Sequence, residues 1–437
     1  MAWYSAGALL VGLVIGMMAL GVPVAVAFMA TNIIGTLVFI GGVAGLTQVV
    51  DNATGLITSF QLAPVPLFIL MGSLFFHTKL AARVFDALDK LLGRVPGRLC
   101  FLTVAGGATF STMTGSSMAN TAMLGSLMVP EMQRRGYSVR MSIGPILGTG
   151  GLAMIIPPSN LGVLLASVAS IDVGRLLISG VVPGFLLAGL YATAILVQVL
   201  LDPTAAPSYD VPRSSMREKL YAVLVNILPM SVVVFMVIGF IILGIATPSE
   251  AAAFGVFGVL LLAAVFRLLT WEAIFKSFEA TVRVGGMVFF IIISSSVFSQ
   301  LVAYSGASAG LLKWATSFGV SPTVMLLCIF VVLLFLGMFM DPVSMILISV
   351  PIFMPIVAAL HVDPVWFGLF VLLALEMSQT TPPFGLLLYV MKGVAPFDVT
   401  IGQVIRSALP FILIELAVLA LLIAIPEVAT WLPSKID

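Results

Sequence analysis

Charge is what this sequence has least of. Only 8% of its 437 residues are Asp, Glu, Lys or Arg, against about 25% in soluble domains. Its 19 basic and 18 acidic residues balance to a net +1, which removes the electrostatic case for binding nucleic acid. Cysteine is equally scarce: Cys100 and Cys328 both lie in apolar stretches, so neither a disulfide framework nor a metal cluster is supported. The two histidines, His77 and His361, are too far apart for a local metal motif and read as loop or interface residues. What fills the chain instead is apolar, 61% hydrophobic residues. No Lys or Arg precedes the first apolar stretch, which runs to about Phe28 and suits a retained span better than a cleaved signal. Composition therefore predicts an all-α polytopic membrane protein with no separately folding soluble domain.

Apolar stretches of the roughly 20 residues that a span needs recur throughout. In the first half they lie near 6–28, 30–50, 56–76, 99–130, 142–168 and 176–200. In the second they lie near 221–245, 251–268, 284–303, 323–358, 365–391 and 408–426. Two Pro-Pro pairs interrupt them at matching places, Pro157-Pro158 and Pro382-Pro383, an offset of 382 − 157 = 225 residues. A proline inside a helix removes a donor and clashes with the preceding turn, so two in succession break it. In a bilayer the freed backbone groups are tolerable only against protein or a water-filled site. Interrupted segments at corresponding places in two halves point to a transporter's substrate site. The same offset carries Pro130 onto Pro355 and Asp172 to within one residue of Asp398. The expected organisation is a first repeat over 1–201, a cytoplasmic linker over 202–220 containing Pro203, Pro207 and Pro212, and a second repeat over 221–437.

Basic residues set orientation. The loop 79–98 (Lys79, Arg83, Lys90, Arg94, Arg98) and the loop 131–141 (Arg134, Arg135, Arg140) both read as cytoplasmic, yet one apolar segment, 99–130, joins them. A single span would place them on opposite faces, and two full spans of about 15 residues each would be short. The segment is therefore expected to enter and return on one side as a re-entrant hairpin, with Thr112-Met113-Thr114-Gly115-Ser116-Ser117 at its tip. The second hairpin, 323–358, is flanked only by Lys313, His361 and Asp363, the pattern of an external face. About five crossings and one hairpin per half invert the second copy, giving two inverted-topology repeats. Between 79 and 94, Leu80, Val84, Leu88 and Leu91 recur at helical spacing among charges, predicting an amphipathic interfacial helix. It reads either as an arm joining a moving part to a fixed frame or as an ordinary interfacial helix.

The first candidate site is Gly115-Ser116-Ser117-Met118-Ala119-Asn120-Thr121 with the break at Pro157. Hydroxyl, amide and unwound carbonyl oxygens are what a dehydrated sodium ion needs. The competing reading is that small hydroxylated residues only permit close helix packing. The related second site is Gly337-Met338-Phe339-Met340-Asp341-Pro342 with Ser344, plus Thr380-Thr381-Pro382-Pro383. A carboxylate inside an apolar hairpin is functional by default; Asp341 is also well placed to cap a helix begun by Pro342. Glu376 is the other intramembrane acid, with a proton role open. Asp172 and Asp398 read as caps. No intramembrane Arg or Lys is available for an anionic substrate. A carboxylate would instead meet backbone N–H groups at half-helix N-termini, with Ser159 and Asn160 placed to take part.

Taken in order, Gly115-Ser116-Ser117, Met128-Val129-Pro130-Glu131-Met132, Arg135-Gly136-Tyr137, Ile156-Pro157-Pro158-Ser159, Gly180-Val181-Val182-Pro183-Gly184, Thr247-Pro248-Ser249-Glu250-Ala251-Ala252 and Thr381-Pro382-Pro383-Phe384-Gly385 span nearly the whole chain. In that order they resemble the large membrane (M) subunit of tripartite ATP-independent periplasmic (TRAP) transporters, of DctM/SiaM-like type. The resemblance implies an elevator mechanism in which a transport domain of two hairpins and two broken helices slides against a scaffold, driven by a sodium gradient. It implies a four-span small (Q) subunit, expected here as a separate polypeptide because no four-span N-terminal extension is seen. It also implies a periplasmic substrate-binding (P) protein that delivers an organic acid at the bacterial inner membrane. By motif it assigns Na+ to Ser116, Ser117, Asn120, Pro157, Gly337, Asp341, Thr380 and Thr381, and the substrate to Ser116, Ser159, Asn160 and Pro383. Asn160-Leu161-Gly162 departs from the family pattern, which leaves C4-dicarboxylate, sialic acid and other organic acids open.

A stand-alone sodium/dicarboxylate symporter or antiporter is the second reading. An intramembrane hydrolase would need a histidine beside Ser116 or Ser159, and both histidines fall at segment edges. A channel would not need two opposed broken helices. The sequence reads as a carrier and not as an enzyme.

Overall fold

The computed structural model describes residues 2–59, 62–93, 95–114, 117–208, 215–396 and 398–435, which are helical throughout, with no strand among them. The chain opens with α1 (Trp3–Ala19), α2 (Val24–Thr36), α3 (Val43–Ile57) and α4 (Pro64–His77). The stretches near 6–28, 30–50 and 56–76 thus become four helices rather than three spans. Gly21 (φ 83°) and Pro23 end the first helix, and Gly41 and Gly42 (φ 101° and 71°) part the π-helical end of α2, Leu37–Gly41, from α3. Glycine accepts positive φ without a Cβ clash and proline cannot continue a helix, so the boundaries follow these residues and not the apolar runs.

Lys79 (φ 60°) turns the chain into α5 (Leu80–Leu91), which buries Leu80, Val84 and Ala87. Next come α6 (Arg98–Thr114) and α7 (Ser117–Arg134), packed on each other. The expected tip, 112–117, is narrower than its polar composition suggested. Thr112–Thr114 stay in α6 and Ser117 begins α7, while Gly115 and Ser116 lie outside the described residues. The half continues with α8 (Val139–Ile155), α9 (Asn160–Ala169), α10 (Val173–Ser179) and α11 (Val181–Leu201). α8 and α9 are bent by 42° across the first Pro-Pro pair.

In the segment 202–220 a capping box of Ser215 and Glu218 starts α12 (Met216–Tyr221). A π-helical stretch, Ala222–Ile227, leads into α13 (Leu228–Ile242), followed by α14 (Pro248–Val265) and α15 (Trp271–Tyr304). α15 begins well before the expected 284, because i,i+4 pairs extend it: Lys276–Glu272 at 2.6 Å and Arg283–Glu279 at 2.9 Å. The remaining helices are α16 (Ala307–Ser317), α17 (Pro322–Gly337), α18 (Pro342–Ala359), α19 (Pro364–Thr380), α20 (Leu386–Val394), α21 (Ile401–Ala424) and α22 (Glu427–Thr430). Seven helices among the described residues are long and apolar enough to cross a membrane, or up to nine if each bent pair counts as one span. The protein is a multi-pass membrane protein. α7 and α18 begin 342 − 117 = 225 residues apart, and α8 and α19 begin 364 − 139 = 225 apart.

α8 and α19 are the pillars of the fold. α8 is buried from Met141 to Ile155 and α19 from Trp366 to Thr380. A helix that hides every face must be surrounded: α6, α7, α11 and α21 pack on α8, and α9, α10, α17 and α21 on α19. α4, packed on α14 and α15, belongs to a second bundle in which α15 also packs on α2. The amphipathic α5 is fastened to both. Arg98 pairs with Asp89 at 2.8 Å and donates to the Leu92 carbonyl at 2.9 Å, tying the end of α5 to α6. Arg83 donates to Asn226 Oδ1 at 3.2 and 3.0 Å and lies 4.1 Å over the Phe266 ring, tying its start to the α12–α14 segment. Arg83→Met keeps the aliphatic stem and should lower stability by about 1–2 kcal/mol. In an Asn226→Ala background the same change should cost less than half as much by thermal unfolding. Strictly additive losses would show that the two side chains do not act as a unit.

Candidate functional site

Three helices from the two halves start on one cavity of about 210 Å³, lined by Ser117 and Met118 at the start of α7, Asn160 and Leu161 at the start of α9, and Pro342 and Val343 at the start of α18. Caps fix two of these starts. Ser159 Oγ accepts from Gly162 N at 3.0 Å. The Asp341 carboxylate accepts from Val343 N at 3.1 Å and Ser344 N at 3.2 Å, and the Ser344 hydroxyl donates to it as well. Helix N-termini carry about half a positive charge each, so their convergence suits an anion. Val65 and Ile69 of α4, Val284, Met287 and Val288 of α15, and Met154 and Gln379 complete the wall. Among the described residues around it, Asp341 alone is charged.

Of the residues singled out in the sequence, Ser117, Asn160 and Asp341 meet at this cavity. Ser159 caps behind it, and Ser116 lies outside the described residues. Asn120 sits deeper, donating to Gly107 O at 3.3 Å and Thr149 O at 3.2 Å, which ties α7 to α6 and α8. Thr380 and Thr381 donate back to Met377 O at 3.1 and 2.5 Å. Both Pro-Pro bonds are cis; Pro157 is buried and Pro383 exposed. The backbone freed at each break is packed closely by glycine. A Cβ on Gly180 would strike Ile155 O, and one on Gly385 would strike Gln379 O. Asp172 caps α10 through Arg175 N at 2.7 Å. Asp398 caps nothing, since Thr400 with Gln403 forms the capping box of α21. A larger cavity, about 960 Å³ between α5, α6–α7 and the start of α15, contains none of the predicted site residues.

The family description "Tripartite ATP-independent periplasmic transporter, DctM component" matches residues 11–428. The chain belongs to this family. It is 32% identical over 376 residues to the C4-dicarboxylate TRAP transporter large permease protein DctM of Pseudomonas aeruginosa, covering 86% of each chain. It is 29% identical over 425 residues to the ectoine TRAP transporter large permease protein TeaC of Halomonas elongata, covering 97% of this chain and 98% of that one. Among solved structures, the YdaH transporter of Alcanivorax borkumensis shares the fold, with a TM-score of 0.62 at 16% identity over 92% of this chain and 97% of that chain. Homologues of this kind are transporter permeases, not enzymes.

This TRAP permease has a second polar cluster, of which the sequence singles out Ser117 and Glu376 but not Tyr191 or Glu415. Ser117 Oγ donates to Glu376 Oε2 at 3.2 Å, and Tyr191 OH donates to Glu415 Oε1 at 2.7 Å, all of them buried. Glu415 lies in a 24-residue helix whose only other charged residue is Arg406. The rule that picked out Asp341, an acid in an apolar span, would have found it. Several contacts here join residues about 225 positions apart. Gln379 Nε2 meets Met154 Sδ at 3.8 Å with a separation of 225 residues. Glu376 packs on Gly151 (376 − 151 = 225), and Tyr191 and Glu415 are 224 apart.

Gly337 lets α17 pack tightly on α19, for a Cβ there would overlap the Ser378 side chain. Gly337→Ala should cost about 1–3 kcal/mol by overpacking, read as a lower thermal midpoint. An unchanged midpoint would show that Ser378 moves aside freely.

Proposed function

We propose that this chain is the large permease subunit of a TRAP transporter that takes up an organic acid across the bacterial inner membrane, driven by a sodium gradient. The observation that carries this reading is the convergence of the α7, α9 and α18 N-termini on one cavity free of basic residues among those described. Backbone dipoles suit a carboxylate, and co-bound sodium offsets its charge. Relatives named for C4-dicarboxylate and for ectoine support the class, since both compounds carry a carboxylate. Sodium is assigned to Ser116, Ser117, Asn120 and Pro157 on one side and Gly337, Asp341, Thr380 and Thr381 on the other. The substrate is assigned to Ser116, Ser159, Asn160 and Pro383.

The two halves are inverted repeats, each with one re-entrant hairpin, α6–α7 and α17–α18. Contacts between residues 225 apart support this, because a pseudo-two-fold axis brings the residues lying on it against their own counterparts. The transport domain comprises these hairpins with the broken helices α8–α9 and α19–α20. The scaffold comprises the bundle around α4, α14 and α15, and α5 is the arm between them. A separate small subunit packs on the scaffold, and a periplasmic binding protein delivers the substrate.

Proteoliposomes holding this chain and its small subunit should accumulate substrate only with an inward sodium gradient and a loaded binding protein. Uptake without the binding protein would favour a stand-alone symporter. Asp341→Asn keeps acceptors for the cap but removes the charge, and should raise the sodium concentration for half-maximal uptake about tenfold. Unaltered sodium dependence in that variant would leave Asp341 as a cap only.

A further inference from the structure

We propose that Glu376 is the charged ligand of a dehydrated sodium ion held where α7, α8 and α19 meet, one helical turn below the start of α7, with Ser117 and Thr121 supplying neutral oxygens. The proposal rests on the sodium-coupled reading above and names a carboxylate and a hydroxyl that it does not include.

Glu376 is 1% exposed and Thr121 fully buried. Each has an oxygen without a hydrogen-bond partner, Oε1 of the carboxylate and Oγ1 of the threonine. Both oxygens lie over a two-glycine notch in α8. A Cβ on Gly151 would overlap Glu376 Oε1, and one on Gly150 would overlap Thr121 Oγ1, with the Ser117 carbonyl 3.7 Å from it. Ser117 Oγ, at 3.2 Å from Glu376 Oε2, closes the group. Oxygens of Glu376, Thr121 and Ser117 thus lie beside a pair of residues with no side chain of their own. Hard cations are bound by oxygen sets of this kind.

The charge around the site favours a cation. No Lys or Arg among the described residues pairs with Glu376 or with Glu415, which lies within electrostatic reach of it and accepts from Tyr191. The basic residues on helices packed against α19 are Arg140, Arg175, Lys392 and Arg406, all at helix ends, three of them exposed and Lys392 half-buried. A carboxyl group buried in a membrane domain needs either a cation or a proton to offset its charge. A cation beside Oε1 would give both unpartnered oxygens, Glu376 Oε1 and Thr121 Oγ1, a partner at once. Ser117 also lines the 210 Å³ cavity, so the ion has an edge on the compartment assigned to the substrate.

The test is sodium-dependent thermal stabilisation of the full permease with its small subunit in nanodiscs, without substrate, with choline replacing sodium at constant ionic strength. Sodium should raise the wild-type midpoint. Glu376→Gln should raise the half-saturating sodium concentration about tenfold or more, and the near-isosteric Thr121→Val roughly threefold. If Glu376→Gln does not fold, Thr121→Val decides alone. Wild-type sodium responses in both variants, with Asp341→Asn impaired, would overturn this site and leave the sodium-coupled reading standing. A Glu376→Gln protein that loses a pH dependence of its midpoint but keeps its sodium response would make Glu376 a proton site and overturn the proposal. No sodium response even in the wild type would overturn both readings.

Discussion

A helix broken inside a bilayer exposes N–H and C=O groups that hydrocarbon cannot satisfy, and this constraint orders the rest of the molecule. Both breaks lie at the ends of α8 and α19, the helices buried along nearly their full length. The backbone carbonyls there are approached closely by Gly180 and by Gly385, where any side chain would collide. The restarted helix α9 is capped by Ser159, and α18, which begins beside it, by Asp341. Helices that must be surrounded collect others around them. α6, α7, α11 and α21 gather on α8; α9, α10, α17 and α21 gather on α19; and α2 and α13 join α4, α14 and α15 in a second bundle. The cavity at the starts of α7, α9 and α18 is where that enclosure stops.

What the sequence made legible were features with a local cause. Pro-Pro pairs break helices wherever they fall, and apolar runs near 20 residues mark spans, so the breaks and most long helices could be read directly. The amphipathic α5 was readable because its pattern repeats within four turns. Boundaries set by single glycines were not. Gly21, Gly41 and Gly42 divided the first apolar region into helices that its composition did not separate. The tip was drawn too wide because hydroxyl residues suggested a turn, although only Gly115 among them is a strong helix breaker. Asp398 was taken for a cap on its chemistry, but Thr400 and Gln403 form a box that satisfies both partners at once.

At the candidate site, Ser117, Asn160 and Asp341 were foreseen and share one cavity. Glu415 was passed over although the rule applied to Asp341 reaches it, whereas Tyr191 and the Gly150-Gly151 notch were not legible, because their meaning lies in contacts with residues far along the chain. A Gly-Gly pair within an apolar helix reads as packing until a carboxylate is found resting on it. Asn120 shows the reverse case. Chosen for its amide oxygen, it spends its N–H groups on Gly107 O and Thr149 O, holding three helices in register.

The scarcity of charge that defines the sequence has a consequence for coupling. The described cavity wall has no Lys or Arg, so a carboxylate entering alone meets helix dipoles, a Ser hydroxyl and amide groups in an otherwise apolar wall that already holds the Asp341 carboxylate. The buried acids Glu376 and Glu415 likewise have no basic partner among the described residues. An anion alone makes the region more negative, and a cation alone leaves the substrate-binding dipoles unused. Bound together, the two nearly cancel. Linkage then requires that each raise the affinity of the other by the same factor. A wall furnished with arginine would hold the anion without the ion and uncouple the pair. Under the sodium-coupled reading proposed above, the absence of basic side chains from the described wall is therefore a condition for coupling as well as a signature of the membrane.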